Sequence, residues 1–365
     1  MNITLPSIEE FYINDVVIAD TPCVLVHPRQ LDVKWTEQNK WFRSSIWTKD
    51  ELKPVSLGFR KFTNYGEQPD FEPLNLKSRM KYIRKVDGTC LIVSKFKGEL
   101  ITRTRGSVST DTLANCKELE VLKQKYPAVF NNKLLNDEQT TLLFEWTTPS
   151  NIIVLRESEA PELRLIGATR HNDYTYYCQA YLDEWAKTWG VPRPESYEFN
   201  TFEEMEAAVK AFEGKEGVVI YGNMDQVLKK VKSLKYLQLH RIKDKLRSDD
   251  AVLDFYLTTP EEHKGNLEAF LSYVVAQTDF EIAKSVKPVV EKIFEARTLV
   301  TGDVMRMGWK VIQLTTDLPT RKEQAAEIMK AFKEEGNTDI AFALLDNKVL
   351  TDKQIRRLFK KALKC

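Results

Sequence analysis

Lys85-Val86-Asp87-Gly88-Thr89-Cys90-Leu91-Ile92-Val93-Ser94-Lys95-Phe96 is the stretch on which the reading of this chain turns. Over 89–96 it is apolar and partly β-branched, which predicts a strand, and Lys97-Gly98 fits a hairpin turn into a second strand. Asp87-Gly88 reads as the turn that feeds the first strand, so Lys85 and Arg105 are expected at neighbouring strand ends. Alone the tetrapeptide is common, because Lys-x-Asp-Gly falls by chance in on the order of a tenth of chains this long. Its weight comes from four segments downstream, in this order: Arg103-Thr104-Arg105-Gly106-Ser107, Phe144-Glu145-Trp146, Glu216-Gly217-Val218-Val219-Ile220 and Lys230-Val231-Lys232-Ser233.

Working outward, apolar runs predict strands over 45–47, 89–96, 99–105, 141–147, 152–156, 163–169, 217–221 and 227–232. Helices are predicted over 111–125, 181–189 and 202–212, the last opened by a Thr201-x-x-Glu204 capping box and closed at Gly214. After Leu239 the β runs vanish and apolar residues recur every three or four positions, as in Leu267, Phe270, Leu271, Val274 and Val275. Further helices fit 281–297, 321–335, 339–346 and 351–364, with a capping box at Thr351-x-x-Gln354. The expected fold class is α+β: antiparallel sheets with helices over 1–245, then an all-α domain over 246–365, the boundary lying near 242–250.

A chain of 365 residues exceeds what one core fills comfortably, which agrees with two domains. A net charge of +1 excludes a uniformly basic coat and permits a local basic groove. The five cysteines, Cys23, Cys90, Cys116, Cys178 and Cys365, lack CxxC or Cys/His ligand spacing, as expected of reduced thiols in a cytoplasm, the host's for a viral chain. Met1-Asn2-Ile3-Thr4-Leu5-Pro6 lacks a basic region followed by an apolar run, and neither secretion nor a membrane span is expected. His27, His171, His240 and His263 are too dispersed for a His-based catalyst.

A lysine that attacks a nucleotide must be unprotonated, yet a free lysine at neutral pH is almost wholly charged. Neighbouring cations or a metal ion are therefore expected to lower its pKa, and Arg105, Lys230 and Lys232 are available. Three carboxylates, Asp87, Glu145 and Glu216, are candidates to hold magnesium or its hydration shell. Each motif alone has a plain structural reading, since Asp-Gly is a turn dipeptide and a Lys-x-Lys pair is a usual guard on an edge strand. Their joint order carries the chemical one.

The ordered set resembles the motifs of covalent lysyl-nucleotidyltransferases, the ligases and capping enzymes. More closely, Arg105-Gly106-Ser107, the run from Phe144 through Glu145-Trp146-Thr147-Thr148-Pro149-Ser150-Asn151-Ile152-Ile153-Val154 to Leu155, and the run from Lys230 through Lys232, Tyr236 and Leu239 to His240 resemble the phage RNA ligase 1 family, ATP-dependent enzymes of tRNA repair. Arg43-Ser44-Ser45-Ile46-Trp47, Lys61-Phe62-Thr63-Asn64 and the segment 321–347 extend the likeness. The resemblance implies an ATP-grasp-like ligase domain, ATP with Mg2+ or Mn2+ as cofactors, and RNA with 5′-phosphate and 3′-hydroxyl ends as partner, cleaved tRNA among the candidates.

It also implies roles. Lys85 carries AMP; Arg43 and Lys61 contact the triphosphate; Glu145 binds the ribose or a metal-bound water; Glu216 helps hold magnesium. Lys230 and Lys232 contact the nucleotide, Lys232 at the α-phosphate, Arg170 lines the adenine side, and Tyr236 belongs to an RNA-facing segment. The family commonly has lysine where this chain has Arg105, whose forked guanidinium neutralises phosphate with a different geometry. Two alternatives stay open: a DNA ligase or capping-type enzyme, which usually appends a small β-barrel, and a non-catalytic RNA-binding protein on the same fold. The segment with Lys353, Arg356, Arg357, Lys360, Lys361 and Lys364 reads as a solvated basic face rather than an RNA contact. Nothing demands more than a monomer.

Overall fold

The computed structural model describes residues 4–364 apart from 30–32, 68, 69, 71, 76, 77, 112, 114, 247, 278 and 279, so Cys365 lies outside the described residues. The chain divides into two compact units, Met1–Gln238 and Leu239–Cys365.

The first unit is built on three sheets. β1 (Phe11–Ile18), β2 (Thr21–Pro28), β3 (Ser45–Thr48) and β4 (Pro54–Leu57) pair in that order, all antiparallel. The remaining strands are β5 (Thr63–Asn64), β6 (Lys81–Lys85), β7 (Thr89–Phe96), β8 (Glu99–Arg103), β9 (Thr140–Thr147), β10 (Glu162–Arg170), β11 (Ser196–Tyr197), β12 (Gly217–Gly222) and β13 (Val227–Lys232). They form a second sheet in the order β10-β9-β7-β8 and a third in the order β11-β6-β12-β13-β5, in which only β13 and β5 run parallel. Helices α1 (Glu118–Lys125), α2 (Pro127–Phe130), α3 (Lys133–Asn136), α4 (Gln179–Trp189) and α5 (Phe202–Lys210) cover outer faces, and α6 (Leu234–Lys245) comes after β13.

Strand parity decides what each face meets, because successive side chains point to opposite sides. In the second sheet Leu91, Val93, Leu142, Phe144 and Trp146 pack under α1 and α4, while Ile92 and Leu143 turn the other way, against Phe59, Ile83, Tyr221 and Leu228. In the third sheet Tyr82, Val218, Ile220 and Val231 pack against Met205 and Val209 of α5. Lys85 shares the parity of Ile83, Glu145 that of Leu143, and Lys230 and Lys232 that of Leu228. All four therefore project between the second and third sheets.

The second unit is helical among its described residues. α7 (Asp249–Thr258), α8 (Leu267–Gln277), α10 (Arg321–Phe332), α11 (Thr338–Leu345) and α12 (Asp352–Ala362) gather on the long α9 (Phe280–Thr315), with Phe270, Val290, Ile293, Phe332 and Ile340 in its core. Thr351 and Gln354 form the expected capping box of α12. Three of its basic residues are committed within the unit: Arg356 pairs with Asp254 at 2.8 Å, Arg357 with Asp339 at 2.5 Å and Lys360 with Asp250 at 2.6 Å. No helix among the described residues is long and apolar enough to cross a membrane.

Several expectations are corrected. Residues 152–156 form no strand, because the backbone N–H groups of Val154 and Leu155 are taken by the Asp87 carboxylate instead of a ladder. β8 ends at Arg103, and the helix expected over 111–125 begins at Glu118, with 112 and 114 outside the described residues. The box at α5 is half formed: Thr201 accepts from the Glu204 N–H, but the Glu204 carboxylate turns to Asn200. Lys85 closes β6, at the strand end expected of it, just before the turn. That turn carries the chain from the third sheet to the second.

Candidate active site

A cavity of about 450 Å³ opens between the second and third sheets, and every residue lining it belongs to Met1–Gln238. Lys85, Asp87, Glu145, Glu216, Lys230, Lys232, Arg43 and Arg105 all line it, with Ile153, Ile166 and Val219 as apolar wall. Residues from segments far apart in sequence thus converge.

At its centre is a carboxylate between two lysines. Glu216 Oε2 accepts from Lys85 Nζ at 2.7 Å, and its Oε1 stands 2.9 Å from Lys232 Nζ. The strand register explains the convergence: Gly217 lies opposite Lys85 on β6 and opposite Lys232 on β13, so both amines flank the residue before it. Gly217 has φ of 151°, and a Cβ there would meet the Val231 carbonyl oxygen at 2.0 Å, so only glycine permits this approach. Glu216 is 1 % exposed; burial alone would raise its pKa, but Lys85 and Lys232 outweigh burial and hold it below the ordinary carboxylate range. For Lys85, burial pulls the pKa down while Glu216 and Glu145 push it above the ordinary lysine range. The expectation of a depressed Lys85 is therefore reversed, because the carboxylates around its amine outweigh burial.

The loop after Lys85 is locked by its own motif. Asp87 Oδ1 accepts from the Tyr236 hydroxyl at 2.7 Å, and Oδ2 accepts the Val154 and Leu155 N–H groups at 2.7 Å each. The Asp87 N–H donates to Glu157, which also pairs with Arg84 at 2.7 Å. A carboxylate with both oxygens so engaged holds the Tyr236 hydroxyl and the backbone of 154–155 in place. Tyr236, 3 % exposed and donating inward to Asp87, has no surface to offer RNA. Gly88 passes where a Cβ would meet the Trp146 carbonyl at 2.6 Å, and its N–H donates to Glu145 Oε1 at 3.0 Å. Burial first, then Glu216 and Asp87, push Glu145 up to about 7 against the opposing pull of Lys85.

The other side of the cavity carries cations with no carboxylate partner among the described residues. Arg43 and Lys230 flank the Phe62 ring, the guanidinium 5.2 Å and the ammonium 5.7 Å from its centroid. Burial and then Arg43, Lys232, Lys85 and Lys61 push Lys230 down to about 7. Arg43 is also lowered, chiefly by burial, with Arg105 adding to it. Lys61 does not line the cavity; its ammonium lies 5.5 Å from the Trp35 ring centroid, behind Arg43. Arg170 does not reach the site, since it ends β10, stacks on Tyr177 at 4.2 Å and faces Asp173 at 4.0 Å.

Sequence reading missed Phe62, Glu157 and Arg103. Phe62 comes directly after Lys61 in a segment already singled out, and its alternation with two polar neighbours was the available signal. Glu157 and Arg103 are polar residues buried by tertiary packing, which no local pattern announces. Among the described residues no group of three or more His, Cys, Asp or Glu is arranged to hold a metal ion.

Residues 43–246 match the family model described as RNA ligase, which is more than half of the chain. The chain belongs to this RNA ligase family. A relative from Autographa californica nuclear polyhedrosis virus, named "Putative bifunctional polynucleotide kinase/RNA ligase", is 25 % identical over 308 residues, covering 76 % of this chain and 42 % of the relative. This family member therefore spans less than half the length of that curated relative. Among solved structures, an archaeal ATP-dependent RNA ligase is 11 % identical over 92 % of this chain and 93 % of its own, with a TM-score of 0.47. A mutant of Naegleria gruberi RNA ligase with ATP and Mn is 16 % identical over 46 % of this chain and 52 % of its own, with a TM-score of 0.39.

Proposed function

We propose that this chain is an ATP-dependent RNA ligase that works through AMP bound covalently to Lys85. The observation that carries the reading is the convergence of Lys85 and Lys232 on the two oxygens of Glu216, in a cavity whose other side holds Arg43, Arg105 and Lys230 in no ion pair among the described residues. The sheet-built unit is the adenylyltransferase.

Lys85 Nζ, once it has given up its proton, attacks the α-phosphorus of ATP, and the P–N bond forms as the bond to pyrophosphate breaks. A 5′-phosphate oxygen of an RNA end attacks that phosphorus next, which frees Lys85 and leaves the RNA capped by AMP. A 3′-hydroxyl then attacks the activated 5′-phosphate; the strand is joined and AMP departs. Negative charge gathers on phosphoryl oxygens in each step, so cations fixed on separate strands serve all three. Lys232 faces the α-phosphate, and Arg43, Arg105 and Lys230 take the outer phosphates of ATP.

Mg2+ or Mn2+ fits this donor set. Glu145 and Glu216 supply two buried carboxylates with hard oxygen donors, and magnesium sites typically use one or two carboxylates with phosphates and waters completing the shell. The bound ion would offset charge on the departing pyrophosphate. Repair of broken RNA, tRNA included, is the setting this joining reaction serves.

The test is joining. With ATP and magnesium, the protein is expected to circularise or join single-stranded RNA bearing a 5′-phosphate and a 3′-hydroxyl, in preference to nicked duplex DNA. Sealing of DNA alone, or transfer of GMP from GTP to an RNA end, would overturn the assignment in favour of a DNA ligase or a capping enzyme.

A further inference from the structure

One charged side chain beside the cavity has no part in the three steps of joining. Arg103, in β8, is 0 % exposed, and no carboxylate pairs with it among the described residues. Its five N–H donors are all spent on neutral oxygens. Nε donates to Ser56 Oγ at 2.9 Å and Nη2 to the Ser56 carbonyl at 3.0 Å, both in β4. Nη1 donates to Ser44 Oγ at 2.9 Å and to the Thr104 carbonyl at 3.1 Å, and Nη2 reaches the Ser44 carbonyl at 3.2 Å. A buried guanidinium without a counter-charge is costly to keep, even fully hydrogen-bonded. An apolar residue bridging the two sheets would give the same packing without that cost.

The contacts of Ser44 supply the reason. It sits directly after Arg43, and its hydroxyl donates to the Arg105 carbonyl at 3.0 Å. Its own carbonyl also accepts the Gly58 N–H at 2.7 Å, where a Cβ on Gly58 would come within 2.8 Å of that oxygen. Arg103 thus grips Ser44, which links the backbone of Arg43 to the backbone of Arg105, two like charges that repel one another on the same side of the cavity. We propose that Arg103 is a positioning residue for the triphosphate: its fork, acting through Ser44, holds Arg43 and Arg105 at a fixed spacing and so sets the affinity for ATP. The proposal rests on the ligase reading.

Lysine cannot reproduce the fork, because an ammonium has three donors at one point where the guanidinium has five in a plane. The experiment is the ATP dependence of self-adenylylation with α-labelled ATP, for wild type, Arg103→Lys, Arg103→Met and Ser44→Ala, with thermal melting of each. Arg103→Lys is expected to raise KM for ATP by about tenfold, the weight of one lost charge-assisted hydrogen bond, and to change kcat by less than about threefold. Ser44→Ala is expected to raise KM by a smaller factor in the same direction, and it decides the matter if Arg103→Met does not fold. A purely structural Arg103 would lower the active fraction, and hence kcat, at unchanged KM. That result, or wild-type kinetics in folded Arg103→Lys and Ser44→Ala, overturns the assignment. Wild-type protein that takes no label overturns the ligase reading, and this assignment with it.

Discussion

The two sides of the cavity spend charge in opposite ways. On one, Lys85 and Lys232 share the carboxylate of Glu216, and the group closes on itself. On the other, Arg43, Arg105 and Lys230 stand together in no ion pair among the described residues, and Lys230 is pushed down to about 7 by burial and by its fellow cations. The paired side holds Lys85 above the ordinary lysine range. The unpaired side places like charges together, which an anionic ligand would offset. In the proposed reaction the difference separates the group that reacts from the groups that bind.

Breaking the paired side should have the largest effect. Glu216→Gln keeps hydrogen-bonding capacity but removes the charge that holds both lysines, and the maximal rate of lysine adenylylation should fall by about 100-fold or more. The pH profile should move as well. Glu216 raises Lys85 in the wild type, and the reactive form is the free amine, so the rate climbs with pH and the climb should shift to lower pH in the variant. A wild-type rate and an unmoved profile would dissolve the distinction between the two sides.

The unpaired side should respond in affinity rather than rate. A triphosphate restores the charge of Lys230, so above about pH 7 binding takes up a proton and affinity falls as pH rises. Calorimetry with an ATP analogue whose α–β bridge cannot be cleaved, in buffers of different ionisation enthalpy, reads that uptake directly. Lys230→Gln should abolish it and weaken binding by about tenfold. Proton uptake of unchanged size in the variant would assign the linkage elsewhere.

Smaller effects mark the frame. Tyr236→Phe deletes the donor to Asp87 and should cost about 2 kcal/mol of stability by thermal or denaturant unfolding, with RNA affinity changing only through the folded fraction. An RNA-binding defect in fully folded Tyr236→Phe would restore the surface role first expected for that residue. Arg170→Ala, remote from the cavity, should change stability by no more than about 0.5 kcal/mol and leave KM for ATP unmoved.

Much of the site was legible because strand chemistry is local. Phe144-Glu145-Trp146 and Lys230-Val231-Lys232 state their own parity, and parity alone sends Glu145 and both lysines to one side. The register with Lys85 and Lys232 explains why position 217 must be glycine. The hidden part was tertiary. Residues 152–156 carry strand-like side chains, but a carboxylate 67 and 68 residues away claims their N–H groups. β1, β2 and β6 alternate weakly, and β6 becomes a strand because β11 and β12 pair with it on either side. Tyr236 was expected to face RNA, and Arg103 stood in a quoted motif without a role, until the fold buried both. The sign of the Lys85 shift could not be read either, since it depends on whether cations or carboxylates stand nearer its amine.

The central claim is that Lys85 is the nucleophile, and the most direct measurement is covalent label from α-labelled ATP with magnesium, mapped to a peptide. The protein should acquire AMP in an acid-labile, alkali-stable P–N bond on the peptide that contains Lys85, and Lys85→Ala should acquire none. Label on Lys85→Ala at the wild-type level, or label mapped to another lysine of the cavity, would contradict the account.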